Sequence, residues 1–404
     1  MPTNIMNFNQ VSAILAEITQ QATGQAVIAP INTADFVTVA TTALNTGFDP
    51  LMNAINQVLS RTIFSVRPYY AKFRGLERSE AAYGNHVRKL SIADRPAVDD
   101  DGFKWPVGYD AAQENALGNG QSVDQYVLRK PDILQTNFYG SSTFADYFTI
   151  FEEQLNSAFT GPDQLASFIG MVMQNASDKQ ETWNENTSRA ILSNYIGGIL
   201  DEAQDARVVH LLSEYKTLTG QDDLTAQQIY QPANFKPFMQ WVYSRIADIT
   251  AKMTERSQLY QTVINGKPVL RHTPYRNQKV YLYAPARFQT EAQVLADTYH
   301  DNYLRLADVE TVNFWQNIET PDSIAVIPSR IGTNGSVVTA AGEVEQAGIF
   351  GVIFDEEAVG YARVNMRSIP TPLNARGRYT NYWMHTTFKA WNDHTEKGVV
   401  LLLD

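Results

Sequence analysis

Residues 160–200 read TGPDQLASFIGMVMQNASDKQETWNENTSRAILSNYIGGIL, and how this stretch folds decides the architecture. Apolar side chains recur at helical spacing: Leu165, Phe168, Ile169, Val172, Met173 and Ala176, then Trp183, then Ile191, Leu192, Tyr195, Ile196 and Ile199. Thr160 suits an N-cap, Pro162 a first turn, and Asp163 puts negative charge where the helix dipole favours it. The pair Gly197-Gly198 is expected to end the helix. At 1.5 Å per residue such a rod is about 60 Å long. Its middle, Gln174 to Thr182, is polar nearly all round. A compact enzyme core has little use for such a rod; a flat subunit tiling against its own copies does. Two shorter helices broken near Ser177 are the alternative.

Upstream, Val11, Ile14, Leu15 and Ile18 form one helical stripe ended near Gly24. Phe36, Val37, Val39, Ala40 and Leu44 suggest a second, broken at Gly47 and Pro50, and Leu51, Ile55, Val58 and Leu59 a third. These pieces are too short to be stable alone, which fits an N-terminal arm laid over neighbouring surfaces or a small, poorly packed helical subdomain. Val87 to Ile92 reads as a strand, as do Ser122 to Leu128 and Ile133 to Tyr139. Between the first two lies a polar stretch, Ala93 to Gln121, with Asp99-Asp100-Asp101, Trp105-Pro106 and four glycines. A structureless loop of that length is unusual inside a compact domain, so a protruding hairpin is expected, with a lid or an insertion as the alternative.

Downstream, Asp201 to Asn234 is mixed and polar. A second helix is expected from near Pro237 toward Tyr260 on the stripe Phe238, Trp241, Val242, Ile246, Ile249 and Met253. Asn265-Gly266 is a hairpin signal between 260–264 and 269–271. Strands are expected at 280–283, 309–315, 324–327 and 349–354, with a helix at 289–299. Tyr382, Met384, Thr386 and Phe388 alternate in an aromatic tail strand. The final run Val399 to Leu403 is apolar enough that it should be docked in a sheet.

The 404 residues are 44% apolar and 19% charged, which places the chain among folded proteins able to bury a large core. There is no cysteine, so disulfides, thiolate metal sites and cysteine nucleophiles are excluded. The net charge of −11, without any run of Lys or Arg, argues against a protein whose main task is gripping phosphate backbones. No basic leader and no run of roughly 20 apolar residues appears, so neither secretion nor a membrane partner is expected.

Catalytic signatures are missing. There is no P-loop, no Gly-x-Ser-x-Gly elbow and no His-Glu-x-x-His, and the six histidines are scattered. Asp99-Asp100-Asp101 lacks the spacing of a calcium loop and reads as a solvated loop tip able to pair with a basic patch on a neighbour. Asp355-Glu356-Glu357 follows a strand and is the one candidate carboxylate pair, without a third group. No catalytic residue, metal ligand or cofactor site is assigned. The aromatic residues (Tyr 20, Phe 19, Trp 6) lack interleaved basic residues and read as anchors in protein–protein contacts.

The order of these pieces resembles the tailed-phage major capsid protein of the Hong Kong 97-like fold, in the branch of short-tailed phages and their crAss-like relatives. Three stretches carry it: Thr160 to Gly198 as the spine helix, Lys279 to Tyr299 as a strand and helix of the axial domain, and Gly348 to Lys389, from Gly-Ile-Phe-Gly-Val-Ile-Phe-Asp-Glu-Glu to the aromatic strand. The resemblance implies an α+β fold with an N-terminal arm (1–62), the start of the peripheral (P) domain with an E-loop hairpin (63–147, loop about 88–129), a P domain with the spine helix (148–271, helix about 160–199), a mixed α/β axial (A) domain (272–363) and C-terminal return strands of the P domain (364–404). It implies pentamers and hexamers in an icosahedral shell around double-stranded DNA, held by weak non-specific contact, with portal, separate scaffolding and decoration proteins as further partners. The subunit contacts it suggests are Asp99, Asp100, Asp101, Phe103, Lys104 and Trp105 in the E-loop, and Ile14, Leu15, Phe36 and Val37 in the arm. The Lys–Asn crosslinking of some family members is not carried over, because beyond Lys104 no partner is identified. A nanocompartment shell of the encapsulin type, and a hydrolase with a lid over 93–121 using Asp355 or Glu356, are the competing readings.

Overall fold

The computed structural model describes residues 7–59, 73–78, 86–94, 126, 128, 130–139, 141–285 and 309–404. In chain order the elements are helices α1 (Phe8–Thr23), α2 (Thr33–Leu44) and α3 (Phe48–Leu59); strands β1 (His86–Ala93), β2 (Asp132–Tyr139) and β3 (Ser142–Phe151); helices α4 (Glu152–Ala158) and α5 (Pro162–Glu202); β4 (Val208–His210); helices α6 (Leu211–Thr219), α7 (Ala226–Ile229) and α8 (Pro232–Thr254); then strands β5 (Gln278–Tyr283), β6 (Val309–Val312), β7 (Ile324–Val326), β8 (Ser329–Ile331), β9 (Val337–Thr339), β10 (Val344–Gln346), β11 (Ile349–Asp355), β12 (Val359–Pro370), β13 (Tyr379–Asn392) and β14 (Gly398–Leu402). Two compact units interleave along the chain, one from Met1–His86, Tyr139–Leu192 and Gly360–Trp391, the other from Val87–Phe138, Ser193–Val359 and Asn392–Asp404.

In the first unit the three leading helices are a packed core element. Asn7 caps α1 in a reciprocal box with Gln10, and Gly24, at φ +71°, takes the left-handed position that closes it. Val11, Leu15 and Ile18 meet Phe36 and Ala40 of α2 and Leu51, Ile55 and Val58 of α3, together with Leu165, Phe168 and Ile169 of α5. This corrects the picture of poorly packed pieces: each stripe is short, but three of them facing one another and α5 exclude water from a common core. Pro50 does not break α3; it sits in the first turn, where its missing N–H costs nothing. The sheet of this unit has the order β12-β13-β3, and β3 pairs antiparallel with β13 from Ser142↔Phe388 to Phe151↔Tyr379.

The second unit is built on a five-stranded sheet, order β4-β14-β11-β5-β6, with the β14/β11 and β11/β5 pairs antiparallel and the β14/β4 and β5/β6 pairs parallel. Every residue of β11 and β14 is buried. The apolar C-terminal run is therefore docked centrally, as its composition requires, and it joins the sheet of β5 and β11, whereas the preceding tail strand β13 pairs with β3. On one face Val280, Leu282, Ile353, Val399 and Leu401 pack with Phe238, Val242, Ile246 and Ile249 of α8. On the same sheet Tyr281 stacks on Phe354 at 5.5 Å, and Tyr195 of α5 meets Phe354 edge-on at 5.9 Å.

The long helix is continuous through Ser177, spanning 41 residues. Its start differs by one step from the expectation: Leu165 N donates to Gly161 O, while the Thr160 hydroxyl bonds back to Ser157 O. Its end differs more. Gly197 and Gly198 lie inside the helix, because a Cβ at Gly197 would collide with Val326 and Pro328, and one at Gly198 with the His394 ring. Asn194, Gly197 and Asp201 make one face: Asn194 exchanges two hydrogen bonds with the backbone of Ser329, and Asp201 accepts from Arg330 at 2.7 Å. The glycines are there for close approach of neighbours and do not end the helix.

Other differences follow from tertiary contacts. The stretch 201–234 carries β4, α6 and α7, and α8 starts at Pro232 with Pro237 inside it. One lost backbone bond there is outweighed by burial of Phe235, Phe238 and Met239 on the same stripe. Asn265-Gly266 does turn, with Gly266 at φ +80°, but in place of flanking strands the chain on its two sides pairs at the single antiparallel bridge Ser257↔Arg271. The segment 142–151, for which the sequence pattern marks no element, is a ten-residue strand. The expected helix at 289–299, and the strand at 122–128 apart from Tyr126 and Leu128, lie outside the described residues.

The glycine packing makes a prediction. Ala is favoured over Gly inside a helix by about 1 kcal/mol, but Gly198→Ala drives a methyl into the buried His394 ring, and overpacking costs about 1–3 kcal/mol. Gly198→Ala is therefore expected to be neutral to about 2 kcal/mol less stable in urea unfolding of the unassembled subunit. A gain of about 1 kcal/mol, the bare helix propensity, would show that the ring is not packed there.

Candidate functional site: a buried charge cluster and exposed aromatic faces

Asp393-His394-Thr395-Glu396-Lys397, the turn between β13 and β14, is buried throughout. Such a turn is stable only if its charges are met. Asp393 Oδ1 accepts from Thr395 N at 2.9 Å and from the Thr395 hydroxyl at 2.6 Å, and its N–H donates to Ala358 O at 2.7 Å. Lys89, reaching in from β1, pairs with Asp393 Oδ2 at 3.1 Å, with Glu396 Oε1 and with the exposed Glu357 at 3.3 Å. Arg271 pairs with Glu396 at 2.9 Å. The Lys397 ammonium donates to Glu255 O at 2.6 Å and to Ser257 Oγ at 3.1 Å. Fully buried Arg207 donates to Glu202, Thr262, Gly398 O and His394 O.

The electrostatics follow from that geometry. Burial alone would lower the Lys89 ammonium, but Asp393 and Glu396 outweigh it and hold its pKa above the ordinary value. Burial would likewise raise Asp393, and Lys89 with the Thr395 hydrogen bonds holds it below the usual carboxylate range. For Glu396 burial prevails over Lys89 and Arg271 and pushes it up to about 7. Burial, aided by the Arg207 charge, lowers His394 to about 3, so its ring is neutral, stacked on Tyr195 at 4.9 Å.

The residues considered for chemistry are accounted for by packing. Asp355 accepts from the Thr273 hydroxyl at 2.6 Å and from Glu357 N at 2.8 Å, Glu356 accepts from Asn277, and Glu357 faces Lys89. His210 pairs with Asp404 at the surface. Among the described residues no cluster of His, Cys, Asp or Glu could hold a metal ion. A groove of about 560 Å³ in the first unit is lined by Tyr139, Phe144, Trp183, Asn186, Ile191 and Phe388, and a cavity of about 210 Å³ in the second by Tyr230, Tyr283, Asp322, Phe350 and Leu403, neither containing Asp355 or Glu356.

The exposed faces carry large apolar residues. On the two-stranded ribbon β1–β2, Leu90 (61% exposed), Ile92 (69%) and Ile133 (51%) point outward beside Arg88 and Gln135, while Ser91 and Ala93 are buried. On the three-stranded sheet, the outer face of the β3/β13 pair carries Tyr147 stacked on Trp383 at 4.7 Å, Phe151 against Tyr379, and Trp383 beside His385. Tyr126 and Leu128 are almost fully exposed. Asp99, Asp100, Asp101, Phe103, Lys104 and Trp105 lie outside the described residues. Of the arm residues, Ile14, Leu15 and Phe36 are buried in their own chain, so their packing role in this conformation is internal, and Val37 alone is exposed. The sequence pattern marks nothing at this turn, because five consecutive polar residues between strands carry no apolar periodicity. The available signal was β1 itself, whose larger apolar residues, Leu90 and Ile92, alternate with Lys89 and Ser91.

The family model of the Phi29-like phage major capsid protein matches residues 11–400, which takes in parts of both units. The chain belongs to that family. Among solved structures this capsid protein is similar to a chain in the capsid structure of Staphylococcus phage Andhra, with TM-score 0.55 and 11% identity over 85% of this chain and 87% of that one. It is similarly close to a chain in the structure of the head fiber and inner core protein gp22 of native bacteriophage P68, with TM-score 0.53, 12% identity and the same coverage of 85% and 87%. At these identities the two likenesses establish the fold. No curated protein sequence matches the chain. A capsid protein's work is to build a shell, a structural role in the virion, and it is carried by its surfaces. Among the described residues no helix is long and apolar enough to cross a membrane.

The charge cluster gives this capsid protein a pH signature. His394 is depressed from 6.5 to about 3, so its contribution to stability is full above 6.5 and is lost as pH falls toward 3. Glu396 is raised from 4.5 to about 7, so its contribution is full below 4.5 and is lost as pH rises through 7. Between pH 6.5 and 4.5 the two offset; below 4.5 only the loss remains, at up to about 1.4 kcal/mol per pH unit for one proton. Urea midpoints of the unassembled subunit are expected to be flat from pH 6.5 to 4.5 and to fall below it. His394→Gln is expected to rise across the first window and fall less steeply in the second. An unchanged profile in that variant would refute the assignment.

Proposed function

We propose that this major capsid protein assembles as pentamers and hexamers into an icosahedral shell around a double-stranded DNA phage genome, formed in the host cytoplasm with a separate scaffolding protein and a portal. The family match over residues 11–400 carries the reading. The apolar ribbon face and the aromatic sheet face support it, because surfaces of that kind are disfavoured in water and favoured between copies. In this reading the segment 88–129 is an E-loop, and Asp99, Asp100, Asp101, Phe103, Lys104 and Trp105 meet a neighbouring subunit. Val37 is the arm residue retained for such a contact. The 41-residue α5 is the spine helix. A decoration protein would bind the outer surface. The net charge of −11 favours an inner wall that touches DNA weakly and non-specifically, so that packaging and ejection are not slowed.

The test is expression of the full chain together with the proposed scaffolding protein, followed by sedimentation and negative-stain microscopy. Uniform closed shells are expected, with pentameric and hexameric capsomers resolved by image averaging. Monodisperse monomers at high concentration in the presence of the scaffold would overturn the reading.

A further inference from the structure

The ribbon β1–β2 is attached to its own unit at two places of different strength. Near its outer part, Asp94 N donates to Pro268 O at 2.6 Å, Arg256 pairs with Asp94 at 3.0 Å, and Lys267 donates to Ile133 O at 2.8 Å. The charged members of this tether are largely solvent-exposed, with Arg256 at 63% and Lys267 at 40%. Pairs of that kind hold little and are screened by salt. At the other place Lys89, 17% exposed, is inserted between fully buried Asp393 and nearly buried Glu396.

That second attachment is fixed from behind. Arg271 and Thr395 hold Glu396 and Asp393 in position, and the loop 255–271 is tied to the turn by Thr262 N to His394 O and Gly398 N to Tyr260 O, both at 2.8 Å. The carboxylates therefore cannot follow the ammonium if the ribbon moves. Separating one partner from a buried ion pair is costly even where the pair adds little net stability, so Lys89 is held where its carboxylates are. The outward neighbours of Lys89, Arg88 and Leu90, face away from the body of the unit, so the direction in which the apolar face is presented depends on where Lys89 is held.

We propose that Lys89 is the positioning residue of the ribbon: its ammonium, locked to Asp393 and Glu396, sets where the ribbon leaves its unit, and uniform assembly depends on that setting. The assembly half of this statement rests on the shell reading above; the positioning half does not.

Hydrogen–deuterium exchange of the unassembled full chain, read on peptides covering 86–94 and 132–139, tests it. Lys89→Met is expected to raise exchange there by about tenfold or more and to leave α1 peptides unchanged. Lys89→Met with Asp393→Asn removes the orphaned buried carboxylate as well. That double variant is expected to recover melting temperature without recovering ribbon protection, which separates positioning from general stability. Arg256→Gln with Lys267→Gln is expected to change exchange by less than about threefold, as a screened surface tether should. Particles from Lys89→Met are expected to vary in size where the natural chain gives one size. Unchanged ribbon exchange in the double variant, or equal loosening in the surface variant, overturns the positioning role. A loosened ribbon with uniform particles overturns the assembly role. If the natural chain forms no shells at all, the shell reading fails, and the exchange comparison still decides the role of Lys89.

Discussion

The burial of the turn Asp393–Lys397 is the constraint on which the second unit depends. Exposed ion pairs contribute about 0–1 kcal/mol, whereas removing one partner of a buried pair costs about 3–5 kcal/mol. Three of these five residues are charged, and all five are buried. The position of the turn is thus set by everything that answers its charges: Lys89 from β1, Arg271 and the backbone of Glu255 from the loop after α8, and Arg207 from the approach to β4. Strand β14 follows directly, so the register of the central sheet is tied to the same contacts.

The long helix meets this constraint at its C-terminal third. Propensity does not explain its continuity, since residues 174–182 are polar on all sides and 197–198 are both glycine. Each end is held by burial instead. Leu165, Phe168 and Ile169 pack in the core of the first unit, and Tyr195 packs under the central sheet of the second against Phe354. Between two buried ends, hydrogen-bonded propagation costs less than breaking the helix and nucleating a second one.

Much of the fold was legible because periodicity survives wherever one face is buried. The stripes of α1, α2, α3 and α8, the strands near 87–92, 133–139, 280–283 and 349–354, and the docking of 399–403 all follow from spacing. Three kinds of feature were not legible. Gly197-Gly198 carries the same letters whether a helix ends there or a neighbour packs closely, and only the Val326, Pro328 and His394 contacts decide between them. Strand β3 was hidden because its residues are mostly exposed, so no alternation marks it until β13 supplies the pairing. The polar turn carries no local sign of burial because its partners lie about 120 to 300 residues away in sequence, as with Arg271 and Lys89. Of the candidate contacts, the arm stripe was correctly read as apolar, but its burial within the chain was a tertiary fact that no local pattern carries.

Strand β1 departs from the ordinary rule for a half-buried strand. Lys89, Ser91 and Ala93 face inward and Arg88, Leu90 and Ile92 face out, so two large apolar side chains of this strand are left in water. A folded monomer gains nothing from this arrangement, since covering a Leu or Ile side chain is worth about 1.5–3 kcal/mol. A subunit that meets its own copies would recover that energy in the assembled state. The contact proposed for this face need not be strong. In the proposed closed lattice it would be repeated at every subunit, so that a few kcal/mol per copy, summed by symmetry, would stabilise the shell while each contact stayed weak enough to break and correct during assembly.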